Sequence, residues 1–126
     1  MIVADADVLV DWLKLKARGS VPRVDEAMER GELATSAIAA YQLWCGVRND
    51  AERTEVRELL GLMTAILPFD DRAAELAGVA YRELAGQGSV IGRPDLYIAG
   101  ICLAVEAPLL TRNRREFERV RGLRLA

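Results

Sequence analysis

Two acids stand where a folding chain usually keeps charge away. Asp5 follows the apolar run Ile2-Val3-Ala4, with Asp7 two residues on. Asp95, behind Arg93-Pro94, opens the most apolar stretch of the sequence. A third boundary, Thr111-Arg112-Asn113, ends the run Leu109-Leu110 and carries oxygen-bearing side chains. If these boundaries are neighbours, Asp5, Asp95 and Asn113 surround one Mg2+ or Mn2+, ions that take oxygen ligands and keep waters. Such an ion lowers the pKa of a bound water and stabilises charge on a phosphoryl group, so phosphodiester hydrolysis needs no histidine. The chain has none. That excludes His-based triads, His-ligated zinc and imidazole acid–base work.

Each residue also has a plainer role. Asp95 in a first helical turn suits the helix dipole. Asn113 suits a turn or cap, and Asp7 an N-cap. Asp11 and Glu26 read as solvated helix charges. Asp5 is the hardest to explain structurally, because an acid at the end of a buried strand needs a partner.

The elements that must position these groups are legible in outline. Ile2–Ala4 reads as a short buried strand, and Val8, Leu9, Trp12 and Leu13 then fall at helical spacing. Gly19, Ser20 and Pro22 interrupt, with Ser20 as N-cap and Pro22 in the first turn of a helix to about Arg30. Gly31 is placed to end that helix. Leu33–Ser36 reads as a strand, with Thr35 or Ser36 capping a helix that carries Ala40, Leu43, Trp44 and Val47 on one face and ends near Asn49. A helix over about Ala51–Met63 follows, then a strand over Ala65–Phe69. Asp70 or Asp71 caps a helix whose inward face is Ala73, Leu76, Ala77, Ala80 and Leu84. That run of small residues points to close packing, against a second copy of the chain. Pro94–Val105 is apolar almost all round and should be central, Leu109–Thr111 is a strand, and Leu123–Leu125 is a short last one. Strands alternating with helices predict an α/β fold with a parallel sheet between helical layers. A carboxylate at the C-terminal edge of such a strand lies where open α/β sheets place their chemistry.

Length and composition fit one soluble domain spanning 1–126: the chain is 52% apolar, with a net charge of −2. No apolar run is long enough to span a bilayer and no secretory leader is evident, so a cytoplasmic location is expected. Cys45 and Cys102 read as buried free thiols in a reducing compartment. Six arginines lie between Arg112 and Arg124. They form either a salt-bridged solvated helix or, beside Thr111 and Asn113, a contact surface for an RNA backbone. Trp12, Tyr41 and Trp44 read as core or half-buried packing.

Four segments together, IVADADVLVDWL, LATSAIAAYQLWCGV, RPDLYIAGICLAVEAPLLTRN and REFERVRGLRL, resemble the PIN-domain family, especially the VapC-like toxins of bacterial toxin–antitoxin pairs. The resemblance runs nearly the whole chain. It implies a PIN-like parallel sheet sandwiched between helices and a Mg2+- or Mn2+-dependent endoribonuclease. It also implies a homodimer and an antitoxin whose amphipathic segment occupies a groove. Asp5 and Asp95 match two family acids, and Asp5, Asp95 and Asp7 are the expected metal ligands. Thr111, Asn113 and Glu116 match the closing motif, with Asn113 and Glu116 as further catalytic candidates. Thr111, Arg112, Arg114 and Arg115 are expected at the RNA.

One catalytic position departs from the pattern. Gln42 stands where the family usually has Glu, keeping one acceptor oxygen but losing the charge. Either Asp7 restores the charge, or the nuclease is weak, or residue 42 was changed to silence a harmful chain. Two further readings stay open. One is a PIN fold that keeps a partner surface without metal chemistry. The other is a haloacid-dehalogenase-like phosphatase, with Asp5 as nucleophile, Asp7 as acid/base, Ser36 on phosphate and Asp70-Asp71 on Mg2+. That fold needs a downstream lysine, and the only lysines are Lys14 and Lys16.

Overall fold

A computed structural model describes residues 1–15 and 21–126. The expected Ser20 cap and the Gly19 break lie outside the described residues. The order is β1 (Ile2–Ala4), α1 (Ala6–Leu15), α2 (Pro22–Glu29), β2 (Leu33–Ser36), α3 (Ala37–Cys45) and α4 (Asp50–Gly61). It continues with β3 (Ile66–Leu67), α5 (Asp71–Gly86), α6 (Arg93–Val105), β4 (Leu109–Leu110) and α7 (Arg114–Phe117).

The sheet is parallel throughout, in the order β3-β2-β1-β4. Val3 pairs with Ala34 and Leu109, and Ala4 with Thr35 and Leu110. Leu125 adds a single parallel bridge to Leu109, all that forms of the expected last strand. The chain steps outward from β1 to β2 to β3, then returns to the other side of β1. That reversal makes the space beyond the C-terminal ends of β1 and β4 a topological switch point, the usual crevice of open α/β sheets.

Alternation along the strands divides the core into two layers. Val3 and Leu109 face one cluster, with Ile98, Ala99, Cys102 and Phe117. Ala4, Leu33 and Leu110 face the other, with Leu9, Val24, Leu43 and Leu59. Of the seven positions of α6 from Leu96 to Cys102, all but Tyr97 are buried, as expected of a helix apolar all round.

Local chemistry sets the helix ends. Ser36 Oγ accepts from the Ala39 N–H at 2.9 Å, and Asp70 Oδ1 from the Ala73 N–H at 2.9 Å. Asn49 begins a helix where the sequence predicts an ending: its side chain caps α4 by accepting from the Glu52 N–H, and α3 stops at Cys45. Gly31 closes α2 at φ 66°, a conformation glycine adopts without strain.

Three expectations need correction. The small-residue face of α5 is filled from within the chain. Ala73 and Ala77 lie so close to Gly100 of α6 that a Cβ at Gly100 would come within 2.9 Å of the Ala77 Cβ and collide with the Ala73 carbonyl. Cys45 is exposed, on the last turn of α3, while Cys102 is buried. Tyr41 is 66% exposed rather than packed. Trp12 and Trp44 are half-buried, as expected; Trp12 Nε1 donates to Asp25 at 3.0 Å, and Arg57 lies over Trp44.

Candidate active site

The site is assembled where two adjacent strands end. β1 delivers Asp5 and β4 delivers Thr111, one residue past the paired Ala4 and Leu110. The Asp5 N–H still donates to the Leu110 carbonyl at 2.8 Å, so the ladder carries Asp5 to the sheet edge. There the chain turns into α1. The Asp5 carboxylate accepts from the Ala6 N–H at 2.8 Å through Oδ1 and from the Thr111 hydroxyl at 2.8 Å through Oδ2.

The network extends in both directions. The Thr111 hydroxyl also lies 3.2 Å from Asp7 Oδ2, which accepts from the Arg112 N–H at 3.0 Å. One hydroxyl hydrogen cannot serve two carboxylates fully. The Asn113 N–H donates to Thr111 Oγ1 at 3.0 Å, and Asn113 Nδ2 donates to Asp95 Oδ2 at 3.2 Å. Asp5 and Asp95, ninety positions apart, thus belong to one chain of hydrogen bonds. Asn113 does not cap α7 with its side chain; it holds Asp95. Asp7 does not cap α1; its carboxylate reaches across to the end of β4.

The electrostatics show how crowded the acids are. Asp5 is 6% exposed and its pKa is raised to about 6, first by burial and then by the Asp7 charge, with Asp95 adding to it. The Thr111 and Ala6 hydrogen bonds pull the other way. Asp95 is raised by burial, then by Glu116 and Asp7, and its bond from Asn113 opposes this. Glu116 therefore faces the cluster, on the fourth acidic side of the corner. Asp7 Oδ1 is buried with no hydrogen-bond partner, a costly position for an acceptor.

A divalent cation fits this donor set: hard oxygens, like charges that raise the pKa of Asp5 and Asp95, and an orphaned buried carboxylate oxygen. Among the described residues no three acids, cysteines or histidines gather into a finished cage. An ion that keeps several of its own waters needs none.

The remaining expected site residues are engaged in different ways. Thr111 is 4% exposed and its hydroxyl is engaged with Asp5 and Asp7, so it orients the acids instead of touching RNA. Arg112 pairs with Asp11 at 3.1 Å, so Asp11 is not simply solvated. Glu26 is a solvated helix charge as expected, exposed and paired with Arg30 one turn away at 2.8 Å. Arg114 donates to the Ala126 carbonyl at 2.7 Å, and Arg115 is exposed. Gln42 lines a separate cleft of 480 Å³ with Val10, Leu13, Leu43, Val47 and Val56, between α1, α3 and α4. No hydrogen bond among the described contacts joins Gln42 to the acids. Sequence reading also missed that Cys102 feels the Asp5 charge: its thiol pKa is pushed up to about 12 by burial and then by Asp5. Its place in an apolar helix gave no sign of that.

A parallel α/β sandwich with carboxylates converging at its switch point defines the class: an α/β domain with a histidine-free acidic site. The PIN-domain family profile matches residues 2–123, and the chain belongs to that family. It is 34% identical over 127 residues to the tRNA(fMet)-specific endonuclease VapC of Shigella flexneri, covering 95% of this chain and 92% of that one. Its fold matches DNA-bound VapBC from Salmonella typhimurium at a TM-score of 0.88 and 25% identity, over 99% and 96% of the two chains. A toxin–antitoxin complex from Klebsiella pneumoniae matches at 0.74 and 20% identity, over 98% and 95%.

Proposed function

We propose that this chain is an endoribonuclease toxin of a toxin–antitoxin pair, hydrolysing RNA phosphodiester bonds with Mg2+ or Mn2+ at Asp5, Asp7 and Asp95. The observation that carries the reading is the linkage of Asp5 to Asp95 through Thr111 and Asn113. The Shigella relative's name supports RNA as the substrate class. When bound, the ion would supply an activated water and charge stabilisation at the phosphate.

The chain's own residues prepare that corner. Thr111 and the Ala6 N–H fix the Asp5 carboxylate, and Asn113 fixes that of Asp95. Asp7 brings the negative charge that Gln42 lacks, and its unpartnered Oδ1 is free to act as a ligand. Glu116 adds charge on the Asp95 side. In this reading Arg115 and Arg112, exposed just past Thr111, contact the RNA backbone. A homodimer is part of this reading. So is an antitoxin segment seated in the α1–α3–α4 cleft, whose apolar floor carries Lys14, Arg48 and Glu52 at its rim.

The phosphatase reading loses its parts: Ser36 is fully buried as a cap, and Asp70 caps α5. Cleavage of RNA with Mn2+, its loss in EDTA, and no turnover of a phosphomonoester are the expected results. Metal-independent cleavage or phosphomonoester turnover would overturn the proposal.

A further inference from the structure

Beside the acidic corner lies an aromatic cleft that the hydrolytic reading does not use. Arg93 and Tyr97, four residues apart, share one face of α6. With Phe69, Tyr81 and Gly78 they line an open cleft of 360 Å³. The Phe69 and Tyr97 rings are 4.7 Å apart, tilted by 42°. Phe69 and Tyr81 are 37% and 51% exposed. Asp95 stands between Arg93 and Tyr97 in sequence, about half a helical turn round α6 from the face they share.

Resting on the ribonuclease reading, we propose that this cleft stacks unpaired bases of the RNA strand flanking the scissile phosphate, with Arg93 on a backbone phosphate. Aromatic faces stack on any base, and the sum is sequence-tolerant binding. Arg93 supplies the cation that an apolar protein-docking surface does not require, and it is exposed. The acids carry an excess of negative charge that repels RNA. A neighbouring site that attracts the strand without touching those acids resolves the conflict. Single-stranded substrate fits best, because stacking on protein requires bases already out of a duplex.

The test is binding of a short single-stranded RNA carrying 2-aminopurine, with EDTA present so that nothing is cut. Arg93→Gln and Tyr81→Ala alter exposed side chains and leave the core intact; Phe69→Leu keeps apolar bulk without the ring. Each should weaken binding by about fivefold or more, and Phe69→Leu should reverse the fluorescence quenching. Replacing the flanking nucleotides by abasic ones should weaken binding to the parent and leave Phe69→Leu unchanged. A parent that binds and cleaves RNA with all three variants unaltered overturns the cleft and spares the ribonuclease. A parent that binds no RNA overturns both. Sedimentation showing that the variants turn a dimer into a monomer makes the cleft an interface between copies, and overturns the proposal.

Discussion

The two ends of the α6 story make opposite use of close approach. In its middle, Gly100 lets α5 press against α6 so tightly that no side chain fits between them. In its first turn, Asp95 joins Asp5, Asp7 and Glu116 in a group where burial and neighbouring acids raise the cost of charge on Asp5 and Asp95. One contact is apolar, small and complementary, and it contributes stability. The other brings together like charges and leaves a buried oxygen unsatisfied. Strain of that kind persists only where the rest of the structure holds it, and it collects at functional sites. The packed half of the helix is what allows the acidic half to exist.

The comparison can be broken by removing either side. Asp95→Asn should reduce RNA cleavage by roughly a hundredfold or more, while the melting temperature stays level or rises. A fall in both would mean that Asp95 serves the fold. Gly100→Ala should do the reverse. Overpacking costs about 1–3 kcal/mol, which in a domain of this size lowers the melting temperature by roughly 10 °C. Cleavage per folded molecule should be retained, as measured below the transition.

Acid–base linkage at Asp5 sharpens the contrast. Its folded pKa of about 6 lies above its ordinary value of 3.8, so the folded state holds the proton more tightly. The stability this confers is fully present below pH 3.8 and is lost as pH rises through about 6. With metal chelated, urea unfolding should show that slope, and Asp5→Asn should abolish it. The variant should be more stable at neutral pH by on the order of 2–3 kcal/mol. No change in slope would remove the claim that the corner costs stability.

The smallest effect concerns charge placement. If Asp7 carries the missing charge, Asp7→Asn should weaken Mn2+ binding roughly tenfold, and Gln42→Glu should change it by less. Isothermal titration of both variants decides, and a larger effect at position 42 would reverse the assignment.

Much of this molecule was legible in its sequence. Ile2–Ala4 had to be a buried strand, and an acid directly after it had to find partners. Thr35 or Ser36, and Asp70 or Asp71, announced the next helices, and Ser36 and Asp70 are the ones that cap them, because a side-chain oxygen three residues before an orphan N–H is a local matter. Asn49 misled, since the same residue type suits a helix end and a helix start. Periodicity identified Ala73, Ala77 and Ala80 as a contact face, and the near-continuous apolar run of α6 marked it as central.

What faced that contact was beyond local reading. A small-residue stripe fits any close neighbour, and only the path of the chain supplied Gly100. The side chain of Thr111 could have pointed to RNA or inward; the register that sets Ala4 beside Leu110 turned it onto Asp5 and Asp7. Gln42 could be aligned with a family acid by pattern, yet the packing of α1, α3 and α4 decided that it lines a neighbouring cleft. Sequence determined which groups could do chemistry and which elements would carry them, because capping and periodicity act over a few residues. Tertiary structure decided which of those groups meet, because strand order and register join residues that the chain keeps far apart.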